Sequence, residues 1–112
     1  MDHFDNWTIQ VRKGILELCI LNALEEKEKY GYELVKALVS LPGLGVTEGT
    51  IYPLLSRLRN QGLVNTRLVE SSEGPARKYY TLTALGKKNM KAMNGHLLSL
   101  VQSTQTLKKS GE

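Results

Sequence analysis

The sequence predicts a mainly α domain of the α+β class: three helices, then two strands joined by a protruding loop, then one long closing helix. Three observations carry this. Apolar residues recur at helical spacing before residue 62 and again after residue 83; residues 63–69 and 78–82 are rich in β-branched and aromatic side chains; and the turn-rich segment 70–76 lies between those two. With 112 residues, the chain has the size of a single domain with one core.

Taken in order, residues 7–24 hold Ile15, Leu16, Leu18, Cys19, Ile20, Leu21 and Leu24, a density that calls for a helix buried on most sides. Residues 25–29 are a charged break. Tyr30-Gly31-Tyr32 then opens a second helix with Leu34, Val35, Leu38 and Val39 facing inward, and Pro42-Gly43 stops it. In the third helix Thr47 is the expected N-cap, while Ile51, Leu54, Leu55 and Leu58 form the inner row up to Gly62. Pro53 interrupts that pattern. It has no N–H to donate, so either the helix starts later than Thr47 or its opening turn is distorted.

The strands at 63–69 and 78–82 should enclose a loop too long for a two-residue hairpin, a wing in outline. Tyr79 and Tyr80 alternate across the second strand, so one is buried and the other exposed. Thr83 precedes the closing helix, where Met90, Met93, Leu97, Leu100, Thr104 and Leu107 are spaced alternately by three and four. That is a heptad seam, short enough to pack against both a second copy and its own domain. The expected units are a winged helix-turn-helix over 1–83 and a dimerisation helix with tail over 84–112.

Composition narrows the function. No stretch approaches the roughly 18 apolar residues of a membrane span. The single cysteine, Cys19, lies in an apolar run and cannot form a disulfide framework within the chain, which points to a reducing cytoplasm. His3 and His96 stand far from one another and from any cysteine or carboxylate cluster at metal-ligand spacing, so neither a zinc site nor a cofactor is expected. No phosphate-cradling glycine loop occurs and no nucleophile has an evident base partner; an enzyme is not expected. Net charge is +4, unevenly spread: residues 1–46 carry five Lys/Arg against seven Asp/Glu, and residues 47–91 carry eight against three. The basic part is the third helix, the strand pair and the start of the closing helix.

Three helices followed by a strand pair let the third rest on the first two while its outer face enters a DNA major groove. With Ile51, Leu54, Leu55 and Leu58 inward, Thr47, Glu48, Thr50, Tyr52, Pro53, Ser56 and Arg59 are expected outward or along the flanks. The hydroxyls of Thr47, Thr50 and Tyr52 suit phosphates and several base edges. Glu48 suits a cytosine amino group, or simply the positive end of its helix. Arg57 and Arg59 suit phosphate, or a local ion pair. Arg77 and Lys78 follow the Gly74-Pro75 turn and suit a neighbouring groove or backbone. Tyr30 and Tyr32 flank Gly31, where one suits a phosphate and the other an anchor in the core. Tyr32 is taken as the contact.

At residues 47–64, from Thr47-Glu48-Gly49-Thr50-Ile51-Tyr52-Pro53 to Gly62-Leu63-Val64, the sequence resembles the PadR family of bacterial transcriptional regulators. Tyr30-Gly31-Tyr32-Glu33-Leu34 upstream, and Gly74-Pro75-Ala76-Arg77-Lys78-Tyr79-Tyr80-Thr81-Leu82-Thr83 with Gly86 downstream, match the family's other signatures in order. The resemblance implies a homodimeric repressor on a palindromic operator, with the third helix around Thr47, Thr50 and Tyr52 and the wing around Arg77 and Lys78 holding double-stranded DNA. It implies dimerisation through the final helix, by Met90, Met93, Leu97, Leu100 and Leu107, as in the subfamily with a single C-terminal helix. It further implies a small aromatic or hydrophobic effector bound between the copies. The sequence offers Trp7, Met93 and Leu97 for that pocket, although the final helix departs from drug-binding members in having no Trp, Tyr or Phe, and Trp7 equally suits a dimer anchor. The competing function is a winged-helix module that binds another protein and uses its basic face for solubility alone.

Overall fold

The computed structural model describes residues 2–110; residue 1 and residues 111–112, the extremes of the two expected units, lie outside it. Helix α1 spans His3–Ala23. It starts four residues before the apolar run because Asp2 caps it, its carboxylate accepting the Asp5 N–H at 2.8 Å. Only its second half is buried, through Leu16, Leu18, Ile20 and Leu21. Phe4 and Trp7 stack on each other at 6.3 Å and stay exposed, Trp7 at 56%.

The segment expected as a charged break ends in a two-residue strand, β1 (Lys29–Tyr30), which runs directly into α2 (Gly31–Val39). Glu33 accepts the Tyr30 N–H at 3.1 Å and so closes the start of α2. Leu34, Val35 and Leu38 face the core, whereas Val39 lies outward at the helix end, against expectation. The connection to the third helix is held by α1: the Arg12 Nη1 donates to the carbonyls of Leu44 and Gly45 at 3.2 and 3.1 Å. Gly45 has φ +60°, and a Cβ there would stand 2.7 Å from that guanidinium. A side chain at position 45 would strain the backbone and push the clamp away.

Helix α3 (Glu48–Asn60) begins immediately after Thr47 and runs through Pro53. The opening turn absorbs the proline. The Thr50 and Ile51 N–H groups both reach the Thr47 carbonyl, at 3.0 and 3.3 Å, which tightens the first turn. The helical acceptor left without a donor by Pro53 is the carbonyl of Gly49, an exposed residue that water can reach. Thr47 occupies the N-cap position, yet its hydroxyl makes no cap bond and lies 3.4 Å from that of Thr50. Ile51, Leu55 and Leu58 are fully buried and Leu54 partly so.

Strands β2 (Val64–Ser71) and β3 (Gly74–Leu82) pair antiparallel, and β1 pairs along the other side of β3, in the order β1-β3-β2. The sheet therefore has three strands rather than two. The expected long loop is also corrected: the strands continue towards the tip, Ser71 pairs with Gly74, and Ser72-Glu73 make a two-residue turn. A bulge between Val69 and Ser71 takes up the odd residue. Tyr80 is buried and Tyr79 half-buried.

Helix α4 (Ala84–Ser110) starts on Thr83, whose hydroxyl accepts the Gly86 N–H at 2.9 Å and donates to the Gly62 carbonyl at 2.7 Å. The amide of Thr83 also reaches the Leu63 carbonyl at 3.2 Å. These bonds pin the closing helix to the turn that ends α3. Farther along, the side-chain amides of Asn22 and Asn94 exchange two hydrogen bonds between α1 and α4, at 3.1 and 2.8 Å. Met90, expected on the dimer seam, is 2% exposed within the chain's own core and so is withdrawn from any partner. Met93 and Leu97 pack partly against that core, and from Leu98 to Lys109 every residue is exposed. Twenty-seven residues make a helix of about 40 Å. Its distal half projects from the domain. No described helix is long and apolar enough to cross a membrane.

Candidate nucleic-acid interface

Helix α2, the loop held by Arg12 and helix α3 form a helix-turn-helix, with the β2–β3 hairpin beside α3. Between the start of α2, the middle of α3 and the hairpin tip runs a cleft of about 560 Å³ bordered by Tyr30, Tyr32, Tyr52, Arg77, Lys78 and Tyr80. Gly31 lies against its floor: a Cβ there would meet the Tyr52 and Tyr80 rings, each at 3.4 Å, the near edge of van der Waals contact.

Thr47, Glu48, Thr50 and Tyr52 are all exposed on the outer side of α3, around its N-terminus. The Glu48 and Gly49 amides precede the first helical hydrogen bonds, and the positive end of the helix dipole lies here. Tyr32, at 57% exposure, stands outside the core, with Lys36 over its ring at 5.9 Å. The phenol of Tyr80 is raised by burial and further by Tyr52, while Arg59 pulls it down; it stays protonated and neutral in the floor of the cleft.

The cations differ in their engagement. Arg57, itself exposed, reaches back to the half-buried Glu17 of α1 at 3.7 Å, so part of its charge is answered within the chain. Arg59, which the sequence offers for phosphate alongside Arg57, has no acidic partner among the described residues and is the freer cation of α3. Arg77 and Lys78 are neighbours on β3, and strand alternation sends them to opposite faces: Lys78 shares the face of Tyr80 towards α3, and Arg77 the face of Tyr79. The Arg77 guanidinium lies over the Tyr30 ring, 4.7 Å from its centroid. On the same face Arg67 covers Tyr79 at 5.3 Å and pairs with Glu28 through two hydrogen bonds. Those bonds hold the Glu28 carboxyl below its ordinary range, with a smaller opposing effect of desolvation. No local pattern signals the pair: the two residues are 39 apart and become neighbours only when β1 joins the sheet.

The expected effector pocket does not assemble within one chain. Met93 and Leu97 line an apolar groove of about 540 Å³ between α1 and α4, together with Val11, Ile15, Leu18 and Leu100. Trp7 borders a separate hollow with Val11, Gly43 and Leu44. Among the described residues no cluster of His, Cys, Asp or Glu is suited to a metal ion.

A three-helix core with a hairpin beside an exposed third helix is the architecture of winged helix-turn-helix regulators. The model of the transcriptional regulator PadR-like family matches residues 20–92, and the chain belongs to that family. Its members regulate transcription and are not enzymes. Among solved structures, a PadR-like transcriptional regulator from Bacillus cereus is 38% identical with a TM-score of 0.77, covering 88% of this chain and 95% of that one. A PadR family regulator from Eggerthella lenta is 30% identical with a TM-score of 0.81, covering 93% and 90%. Bacillus subtilis PadR in complex with operator DNA is 28% identical with a TM-score of 0.61; the match covers 70% of this chain and 45% of that one.

Proposed function

We propose that the protein is a transcriptional repressor that binds a palindromic DNA operator as a homodimer. One observation carries this most: Tyr52 of α3 and the cationic hairpin with Arg77 and Lys78 border the same cleft, and Thr47, Glu48 and Thr50 stand exposed at the N-terminal end of that same helix. In this proposal α3 enters the major groove, Thr47, Glu48, Thr50 and Tyr52 lie nearest the bases, and Tyr32, Arg77 and Lys78 serve phosphates. The operator-bound relative supports the mode of binding. Arg57 contributes from the flank once Glu17 releases it, and Arg59 beside it.

Dimerisation is supported by the apolar side chains that α4 leaves uncovered, among them Leu98, Leu100, Val101 and Leu107, continuous with the α1–α4 groove. A second copy is the occupant that gives two α3 helices the two-fold relation a palindrome requires. Met93, Leu97, Leu100 and Leu107 remain the proposed seam. A small hydrophobic or aromatic effector belongs in the α1–α4 groove at that interface, where such a ligand would raise the melting temperature and weaken DNA binding together. Bound across a promoter, the dimer represses by excluding polymerase.

Sedimentation tests the dimer. Leu100→Glu with Leu107→Glu replaces two exposed residues, so the fold of each copy should persist while the dimer dissociates and DNA affinity drops at least tenfold. A wild-type protein that is monomeric at micromolar concentration would overturn the proposal.

A further inference from the structure

Arg77 follows the turn of an exposed hairpin, the kind of site where a long side chain samples many rotamers. Here it is not free to do so. Its guanidinium lies 4.7 Å from the centroid of Tyr30, the residue that ends β1 and caps α2. Tyr30 is itself half-buried and held on three sides. Its backbone pairs with Tyr79 of β3, its N–H is bonded to Glu33, and its ring meets Tyr79 at 5.8 Å and Tyr32 at 6.2 Å. Beyond Tyr79 the row continues to Arg67, which Glu28 anchors. The ring under Arg77 is therefore fixed to both the helix-turn-helix and the sheet.

We infer that Tyr30 is a positioning residue for DNA binding: its ring holds the Arg77 guanidinium in the orientation in which the wing meets a phosphate. The chemistry favours holding over capture. A guanidinium held over a ring is attracted by the π face and gives up none of its five N–H donors to an acceptor atom, which leaves them available to a phosphate. Among the described residues no carboxylate pairs with Arg77, so those donors are not already spent on an ion pair. Fixing the side chain beforehand removes rotamer entropy that binding would otherwise have to overcome. The inference rests on the proposal that the wing contacts DNA.

A double-mutant cycle tests it, with a mixed-sequence DNA duplex in low-salt buffer as the probe. Arg77→Ala should weaken binding roughly tenfold and lower the dependence of log K on log salt by about one. Tyr30→Leu should weaken binding about two- to fivefold in the wild-type background, the range of an exposed cation–π contact. It should have no further effect in the Arg77→Ala background. Tyr30→Phe, which keeps the ring, should bind as wild type. Equal losses from Tyr30→Leu with and without Arg77 would show a general structural defect and overturn the inference, as would full affinity in Tyr30→Leu. Wild-type affinity in Arg77→Ala would remove the contact that Tyr30 is said to position. Absence of any salt-sensitive binding by the wild type would instead sink the DNA-binding proposal itself.

Discussion

Gly86 is the position where one added carbon should do most damage. It lies in the first turn of α4, and a Cβ built there falls 2.1 Å from the Leu63 carbonyl oxygen and 3.1 Å from its carbon. Both are backbone atoms of the segment leading into β2, bonded in turn to the Thr83 amide, so neither can yield by changing rotamer. For Gly86→Ala the helix start must lift, at about 1–3 kcal/mol for overpacking. It also loses the Thr83 cap, worth about 1 kcal/mol. Alanine's helix preference returns about 1 kcal/mol at most. The net loss is about 1–3 kcal/mol, which for a domain near this size lowers Tm by about 4–20 °C. Circular dichroism melts at one fixed protein concentration read this directly. The internal control is Gly95→Ala on the same helix: nothing lies within 4 Å of that Cβ, so the substitution should leave Tm unchanged or raise it. A Gly86→Ala protein melting within 2 °C or so of wild type, a shift of under 1 kcal/mol, would refute the packing described at the α4 start.

Other perturbations probe the remaining supports. Arg12→Ala should loosen the loop that launches α3, read as faster hydrogen exchange at the Thr50 and Ile51 amides with a stability loss of about 1–2 kcal/mol; unchanged protection would contradict the clamp. Burial raises the Cys19 thiol, so at neutral pH iodoacetamide should modify the native protein more slowly than the urea-unfolded chain. Equal rates would contradict its half-buried setting. Glu28 has a lower pKa folded than unfolded, so the contribution of its pair with Arg67 is complete above the unfolded value near 4.5 and disappears as pH falls through the folded one. Arg67→Gln should therefore flatten the acid limb of urea midpoint against pH, and parallel limbs would rule the coupling out.

Much of this fold was legible because it rests on local chemistry. The apolar row Ile51, Leu55, Leu58 identified α3 and its outer face, and Thr83 marked the start of α4, since both depend on spacing and capping within one segment. Features made by distant partners were not legible. Strand β1 exists only because Tyr30 meets Tyr79, and two residues leave no periodicity to detect. Met90 satisfies the heptad spacing as well as Met93 does, but the sequence does not say where α4 leaves the domain, so a core residue was indistinguishable from a seam residue. Gly74 and Pro75 are turn formers and so predict a loop at the wing; the register instead places both inside β3 near its start. The same limit applies at the interface. Exposure of Thr47, Glu48, Thr50 and Tyr52 follows from helical geometry, whereas the pairing of Arg57 with Glu17 and of Arg77 with Tyr30 arises only in the folded chain.

In the proposed mode of binding, the α3 face and the hairpin together read a two-fold DNA site. Selection of bound duplexes from a randomised pool, followed by titration of the enriched sequence at two salt concentrations, tests it most directly. The expected result is an inverted repeat with half-sites about one helical turn apart, or a multiple of it, bound with steep salt dependence. Failure to enrich any sequence, with weak binding uniform across duplexes, would contradict it and turn attention to a protein partner for the same basic face.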